Sequence, residues 1–182
     1  MRDENIFVML PLQRVAIGLI LALFALRIGV FDVLVDFAGW ALVVSGLSRM
    51  ESVVGPAFTQ ARRLAVVVCV FSLGDLFGFT ANPVIGLLYR SLSLAVIWLV
   101  AGALIDRARD FGDAYVASTF HLIRGTLLPF GLLGGLSAFF LPQYVAVWLV
   151  VGIIYIIVAV CLIVELHRAQ RQPYLNWPPP AA

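Results

Sequence analysis

The stretch RIGVFDVLVDFAGW, Arg27–Trp40, sets three charges, Arg27, Asp32 and Asp36, inside one of the most apolar regions of the chain. Apolar sequence extends on both sides of it, from residue 10 to residue 48. A single helix over that run would be roughly 58 Å long, about twice the hydrocarbon thickness of a bilayer. The charges, with Gly29 among them, therefore predict a turn. Two helices are expected in place of one, over residues 10–29 and 31–48.

The whole chain requires the bilayer that this length argument assumes. It has 182 residues, of which 63% are hydrophobic and 12% charged, with a mean hydropathy of +1.05. Soluble domains are about 45–50% apolar and about 25% charged. A soluble fold of this size could not hide so much apolar surface, so an integral membrane protein is expected, with lipid as its first partner. A net charge of +2 predicts no nucleic-acid partner. Cys69 and Cys161 both lie in apolar runs without a CxxC or Cys/His neighbourhood, so no metal or cofactor is predicted. The opening MRDENIFVMLPLQR has acids beside its first arginine, and no A-x-A-like site closes the apolar run that follows. That run is read as the first membrane helix.

Six spans are expected: residues 10–29, 31–48, 64–81, 83–105, 123–141 and 143–165. They make an all-α polytopic bundle of three hairpins, with tips near Val30, at Thr80–Pro83 and at Phe140–Gln143. Proline fixes φ and lacks an N–H, so Pro83 and Pro142 suit the first turn of a returning helix. The longer connections, residues 48–63 and 106–125, fall on the other side. Arg2, Arg14, Arg49, Arg62, Arg63, Arg107, Arg109, Arg124, Arg168 and Arg171 fall there too, ten of the twelve arginines in a chain without lysine. The positive-inside rule makes that side cytoplasmic and places both termini there. Phe111, Tyr115, Ser118 and Leu122 recur at i, i+4, i+7 and i+11, which predicts a separate interfacial helix in the second connection. A faint repeat, GPAFTQARRL at Gly55 and GDAYVASTFHL at Gly112, leads into two of the hairpins.

Two further charges interrupt spans, Asp75 and Arg90. Both lie about 9–11 Å below the same outer turn, on adjacent antiparallel helices. Asp32 and Asp36, at i and i+4, share one helix face. Arg27, Asp32, Asp36, Asp75 and Arg90 are thus expected to converge on the outer half of the membrane. A central Asp or Arg costs about 2.5–3.5 kcal/mol on insertion scales, so such charges call for partners. Two readings follow. In one, Asp75 pairs with Arg90, and Asp36 with Arg27, as interhelical ion pairs that fix register. In the other, three acids against two arginines leave one carboxylate for a polar pocket open to the outside. Gly74 and Gly78, and Gly131 and Gly135, stand at GxxxG spacing, which lets another helix approach closely.

There is no HExxH, paired histidine, GxSxG or Walker loop. Catalytic residues are not predicted; His121 and His167 fall on the cytoplasmic side, away from the charge cluster. The membrane domain is assigned to residues 1–166 and a polar, Pro-rich cytoplasmic tail to residues 167–182. In that tail Tyr174 and Trp177 either rest on lipid headgroups or dock a partner through a polyproline segment.

Phe31–Met50, FDVLVDFAGWALVVSGLSRM, resembles a pattern in uncharacterised small multi-pass membrane proteins of Gram-positive bacteria. Their second helix opens F-D-x-L-P-D-F-x-G-y and closes G-L-x-x-L. Phe31, Asp32, Leu34, Asp36, Phe37 and Gly39 match the opening, and Gly46 and Leu47 the close; Val35 replaces the proline and Trp40 the tyrosine. The resemblance implies a bacterial multi-pass membrane protein and carries no activity. The expected function is non-enzymatic: helix packing with further copies of the chain or with a larger membrane complex, in the bacterial cytoplasmic membrane. The alternative is a small ion- or proton-coupled transporter using the outer charges.

Overall fold

The computed structural model of the chain describes residues 10–24, 30–74, 77, 82–140 and 145–175. Among these residues the protein is all helical, with six α-helices: α1 (Pro11–Phe24), α2 (Val30–Val54), α3 (Thr59–Gly74), α4 (Pro83–Asp110), α5 (Ala114–Phe140) and α6 (Val145–Ala169). Single 3-10 turns stand at Pro56–Phe58 and Pro173–Leu175. Four segments are long and apolar enough to cross a membrane: Pro56–Gly74, Pro83–Asp110, Ala114–Gly134 and Leu149–Ala169. They fit a membrane protein. α1 is apolar but shorter, and α2 carries Asp36, Arg49 and Glu51.

Local chemistry sets the ends of the helices. Pro83 occupies the first turn of α4, as its sequence position predicts, and the Asn82 side chain accepts from the N–H of Val84 at 3.0 Å. α4 ends where Gly112 takes φ 72°, a left-handed conformation that favours glycine. The N–H of Asp113 then donates to the carbonyl of Ala108 and that of Gly112 to Arg109, a Schellman closure. Asp113 also starts the next helix, its Oδ1 accepting from the N–H of Val116 at 3.1 Å. Gly55, between α2 and α3, has φ 123°. The two faintly repeated segments therefore begin with the same device, a positive-φ glycine between two helices.

Two sequence expectations are corrected. Residues 111–122 do not form a separate interfacial helix. Phe111 belongs to the turn, and from Ala114 the amphipathic stretch continues without a break into the apolar one, as a single helix to Phe140. The reason is that Asp113 caps at one end and no helix breaker follows before Pro129. The stripe itself is exposed at Phe111, Tyr115, Ser118 and Leu122. The tail is also not wholly free. α6 runs to Ala169, and Leu175 is 1% exposed, with its 3-10 turn packed on α2. Trp177 lies outside the described residues.

Each helix packs on its successor, and α1 also meets α6. The closest seam is α1–α2. A Cβ on Gly18 would stand 2.5 Å from the carbonyl oxygen of Gly39, and one on Gly39 2.7 Å from that of Gly18. A Cβ on Gly46 would stand 2.6 Å from Val15 and 2.7 Å from the carbonyl of Pro11. The pairs advance on one helix as they retreat on the other, so the seam is antiparallel. Leu12, Val15, Leu19, Val43 and Leu47 are buried beside it. On α5, a Cβ at Gly131 would meet Leu94 of α4 at 2.6 Å. That glycine is used inside the bundle.

Candidate functional site

The charge cluster expected from the sequence is described in part. Arg27, Asp75 and Gly78 lie outside the described residues; Asp32 falls in α2, but its side chain lies outside them too. The level of the rest is fixed by a hydrogen bond between α2 and α4. Trp40, 1% exposed, donates through Nε1 to the hydroxyl of Tyr89 at 2.9 Å. Asp36 is one turn nearer the start of α2 than Trp40, about 6 Å along the helix, and is half-buried. Arg90 follows Tyr89, is exposed, and lies within electrostatic reach of Tyr155 on α6. Asp36 and Arg90 thus stand on opposite sides of the level set by Trp40 and Tyr89, more than one helical turn (about 7 Å) apart along the parallel helices, and Tyr155 lies near Arg90. Gly74 ends α3, and Gly135 lies in α5.

The serines near this level are turned to their own helices. Ser72 donates to the carbonyl of Cys69, Ser91 to that of Leu87 and Ser93 to that of Tyr89. Helix serines in apolar surroundings commonly bond in this way. Among the described residues no group of three His, Cys, Asp or Glu side chains comes together to hold a metal.

A second polar region lies at the opposite end, where the α2–α3 turn, the α4–α5 turn and the end of α6 gather. Arg14 donates to Ser45 Oγ at 3.0 Å, tying the start of α1 to α2. Glu51 Oε1 accepts from Thr59 Oγ1 at 2.7 Å, and Glu51 Oε2 lies 2.6 Å from Arg62 Nε. The Arg62 N–H is not aligned on that oxygen, so the pair is ionic and not a directed hydrogen bond.

The C-terminal turn closes over this end. Tyr174 stacks on Phe111 with ring centroids 5.1 Å apart, and its hydroxyl donates to Asp113 Oδ2 at 3.0 Å. Its carbonyl accepts from Arg107 Nε at 3.4 Å, and Arg107 lies over the Phe111 ring at 4.7 Å. Burial, then the hydrogen bond to Asp113 and the charge of that carboxylate, raise the Tyr174 hydroxyl above the ordinary tyrosine range. Asp113 therefore serves three elements: it caps α5, follows the turn after α4, and holds the tail.

Sequence reasoning named Gly39 and Gly46 only as matches to a family pattern, and anticipated neither the α1–α2 glycine seam nor the Tyr174 contact. For the glycines a signal existed: Gly39 and Gly46 are seven residues apart, on one helix face, opposite a helix containing Gly18. For Tyr174 none did, because its partners are more than sixty positions away. Compared with known proteins, the chain matches no family model, no curated protein and no solved structure.

Proposed function

We propose that this is a six-span bundle of a bacterial cytoplasmic membrane, with both termini on the cytoplasmic side, which works without catalysis by packing against further copies of itself or a larger membrane complex. The observation that carries this reading is how the helices are spent. Between α1 and α2 backbone meets backbone at Gly18 and Gly39. Between α4 and α5, Gly131 receives Leu94, and the cavity lined by Leu94, Ile97, Trp98, Ala101 and Ile123 holds about 10 Å³. That is room for barely one water. Outside, α6 presents Leu149, Val150, Ile153, Ile156, Ile157, Val160 and Val164. Closed seams and an open apolar exterior support work done at the outer surface.

One observation favours a second reading. Asp36 and Arg90 flank the Trp40–Tyr89 bond in otherwise apolar helices, and charges within a membrane span are costly unless used. A polar pathway through Asp32, Asp36, Asp75 and Arg90 would use them.

Purification in mild detergent, with mass measured by light scattering and co-purifying chains identified, separates the two. A stable oligomer or a recurrent partner is the expected result. A monomer without partners, which in liposomes conducts protons or ions and loses conduction with Asp36→Asn, would replace the packing reading with the pathway.

A further inference from the structure

Arg124 of α5 is held in an unusual state. Its guanidinium lies over the Trp98 ring of α4, 3.9 Å from Cζ to the centroid. Its Nε is buried without an acceptor. Among the described residues none accepts a hydrogen bond from its Nη groups, and none forms an ion pair with it. Asp106, exposed one turn nearer the end of α4, does not pair with it. Such a group carries a positive charge and up to five donors.

The surroundings place it rather than satisfy it. Gly102 opens the space: a Cβ there would stand 3.3 Å from Nη1 and 3.4 Å from Cζ. Trp98 supplies the face, and cation–π contact orients the plane of the guanidinium without consuming its donors. Leu94, Ile97, Ala101, Ile123, Leu127 and Leu128 wall the crevice with apolar side chains. The cavity there, about 10 Å³, is too small for any headgroup, so a ligand must approach from the bilayer side. Gly102 is four residues from Asp106, the first charge at the end of α4, or about 6 Å further into the membrane. That is the level of the lipid phosphates and the first acyl carbons, where tryptophan also concentrates. His121, exposed three residues earlier on α5, adds a second donor at that level.

We propose that Arg124, stacked on Trp98, binds the phosphate of an anionic phospholipid, with an acyl chain against the apolar crevice of α4 and α5. The chemistry recognised is a phosphate oxyanion, for which a planar guanidinium offers paired donors. The lipid is the favoured source because the approach is from the bilayer and the walls are apolar. This inference rests on the reading of the chain as membrane-embedded. If the protein were recovered soluble without detergent, that reading would fail, separately from the lipid test.

The test is thermal unfolding of the detergent-purified protein with added phosphatidylglycerol, phosphatidylcholine or inorganic phosphate. Phosphatidylglycerol at a hundredfold excess over its dissociation constant should raise the midpoint by about 5 °C. Phosphatidylcholine and inorganic phosphate should leave it unchanged, and Arg124→Gln should abolish the rise. If Arg124→Gln does not fold, Trp98→Leu serves: it removes the face that orients the guanidinium, keeps the charge and should cut the rise at least by half. An equal rise in wild type and Trp98→Leu, or an equal rise with phosphatidylcholine, overturns the proposal. A rise with inorganic phosphate alone assigns the site to a soluble anion and overturns the lipid.

Discussion

The α1–α2 seam and the tail closure hold the same bundle by opposite means. At the seam the contacts are backbone on backbone: Gly18 faces Gly39 with no room for a methyl group, and Val15 and Pro11 crowd Gly46 in the same way. At the tail, long side chains meet across a turn: Tyr174 with Phe111, Asp113 and Arg107. Backbone cannot step aside, so the seam tolerates almost no added atom. Side chains can repack or be replaced by water, so each tail contact is separately modest. On the proposed six-span reading the difference follows from solvent: in lipid, close packing of small residues joins helices, whereas near water polar groups can join because their alternative partner is close at hand.

The seam gives the largest expected effect. Gly39→Ala places a methyl group against the carbonyl of Gly18 and the N–H of Ala22, and it should cost about 3 kcal/mol. Gly39→Leu should abolish the folded bundle, visible as loss of a monodisperse peak in detergent. Gly55→Ala, at a positive-φ turn open to solvent, should cost less than Gly39→Ala, because nothing stands within 4 Å of its Cβ position. A seam variant as stable as wild type would remove the contrast between the two regions.

The tail ranks next. Tyr174→Phe should cost about 1 kcal/mol, the net worth of the bond to Asp113. It carries a pH signature. The Tyr174 hydroxyl is raised above the ordinary value of 10.0 in the folded protein by burial, then by its bond to Asp113 and the charge of that carboxylate. Its contribution is therefore fully present below about pH 10 and is lost as pH rises beyond that, because the unfolded tyrosine releases its proton first. Wild type should lose more stability than Tyr174→Phe on passing from pH 9 to pH 11, read as the difference of their unfolding midpoints. Parallel losses would show that Tyr174 is not held by Asp113.

The smallest effect belongs to Glu51 and Arg62, whose side chains are 26% and 38% exposed. Glu51→Gln should cost under about 1 kcal/mol and less still in high salt. A larger loss would mean that Glu51 also holds the α2–α3 turn through Thr59.

Helix identity was legible in the sequence, and helix length was not. Apolar runs mark where lipid would be, so the span expected over residues 83–105 lies inside α4, which continues to Asp110. Beyond the lipid level the helix is decided by caps, and Asp113 and Gly112 act there. The same blindness made a separate helix of residues 111–122. Charge depth matched Asp75, which lies outside the described residues, with Arg90 on neighbouring helices. It did not find Trp40 and Tyr89, because an apolar-looking tryptophan and tyrosine gave no sign of bonding across two helices. Gly131 was read for its spacing to Gly135, but its partner is Leu94 within the chain; spacing marks closeness, not what comes close.

On the proposed reading, the end bearing Arg14, Glu51–Arg62 and the Tyr174 closure is a single cytoplasmic face of a six-span bundle. Reporter fusions test it most directly, placed after Leu175 and within the Asp110–Ala114 turn. Both sites should give fluorescent cytoplasmic GFP and inactive alkaline phosphatase. Active phosphatase at either site would contradict the account, and opposite results at the two would show an odd number of crossings between them.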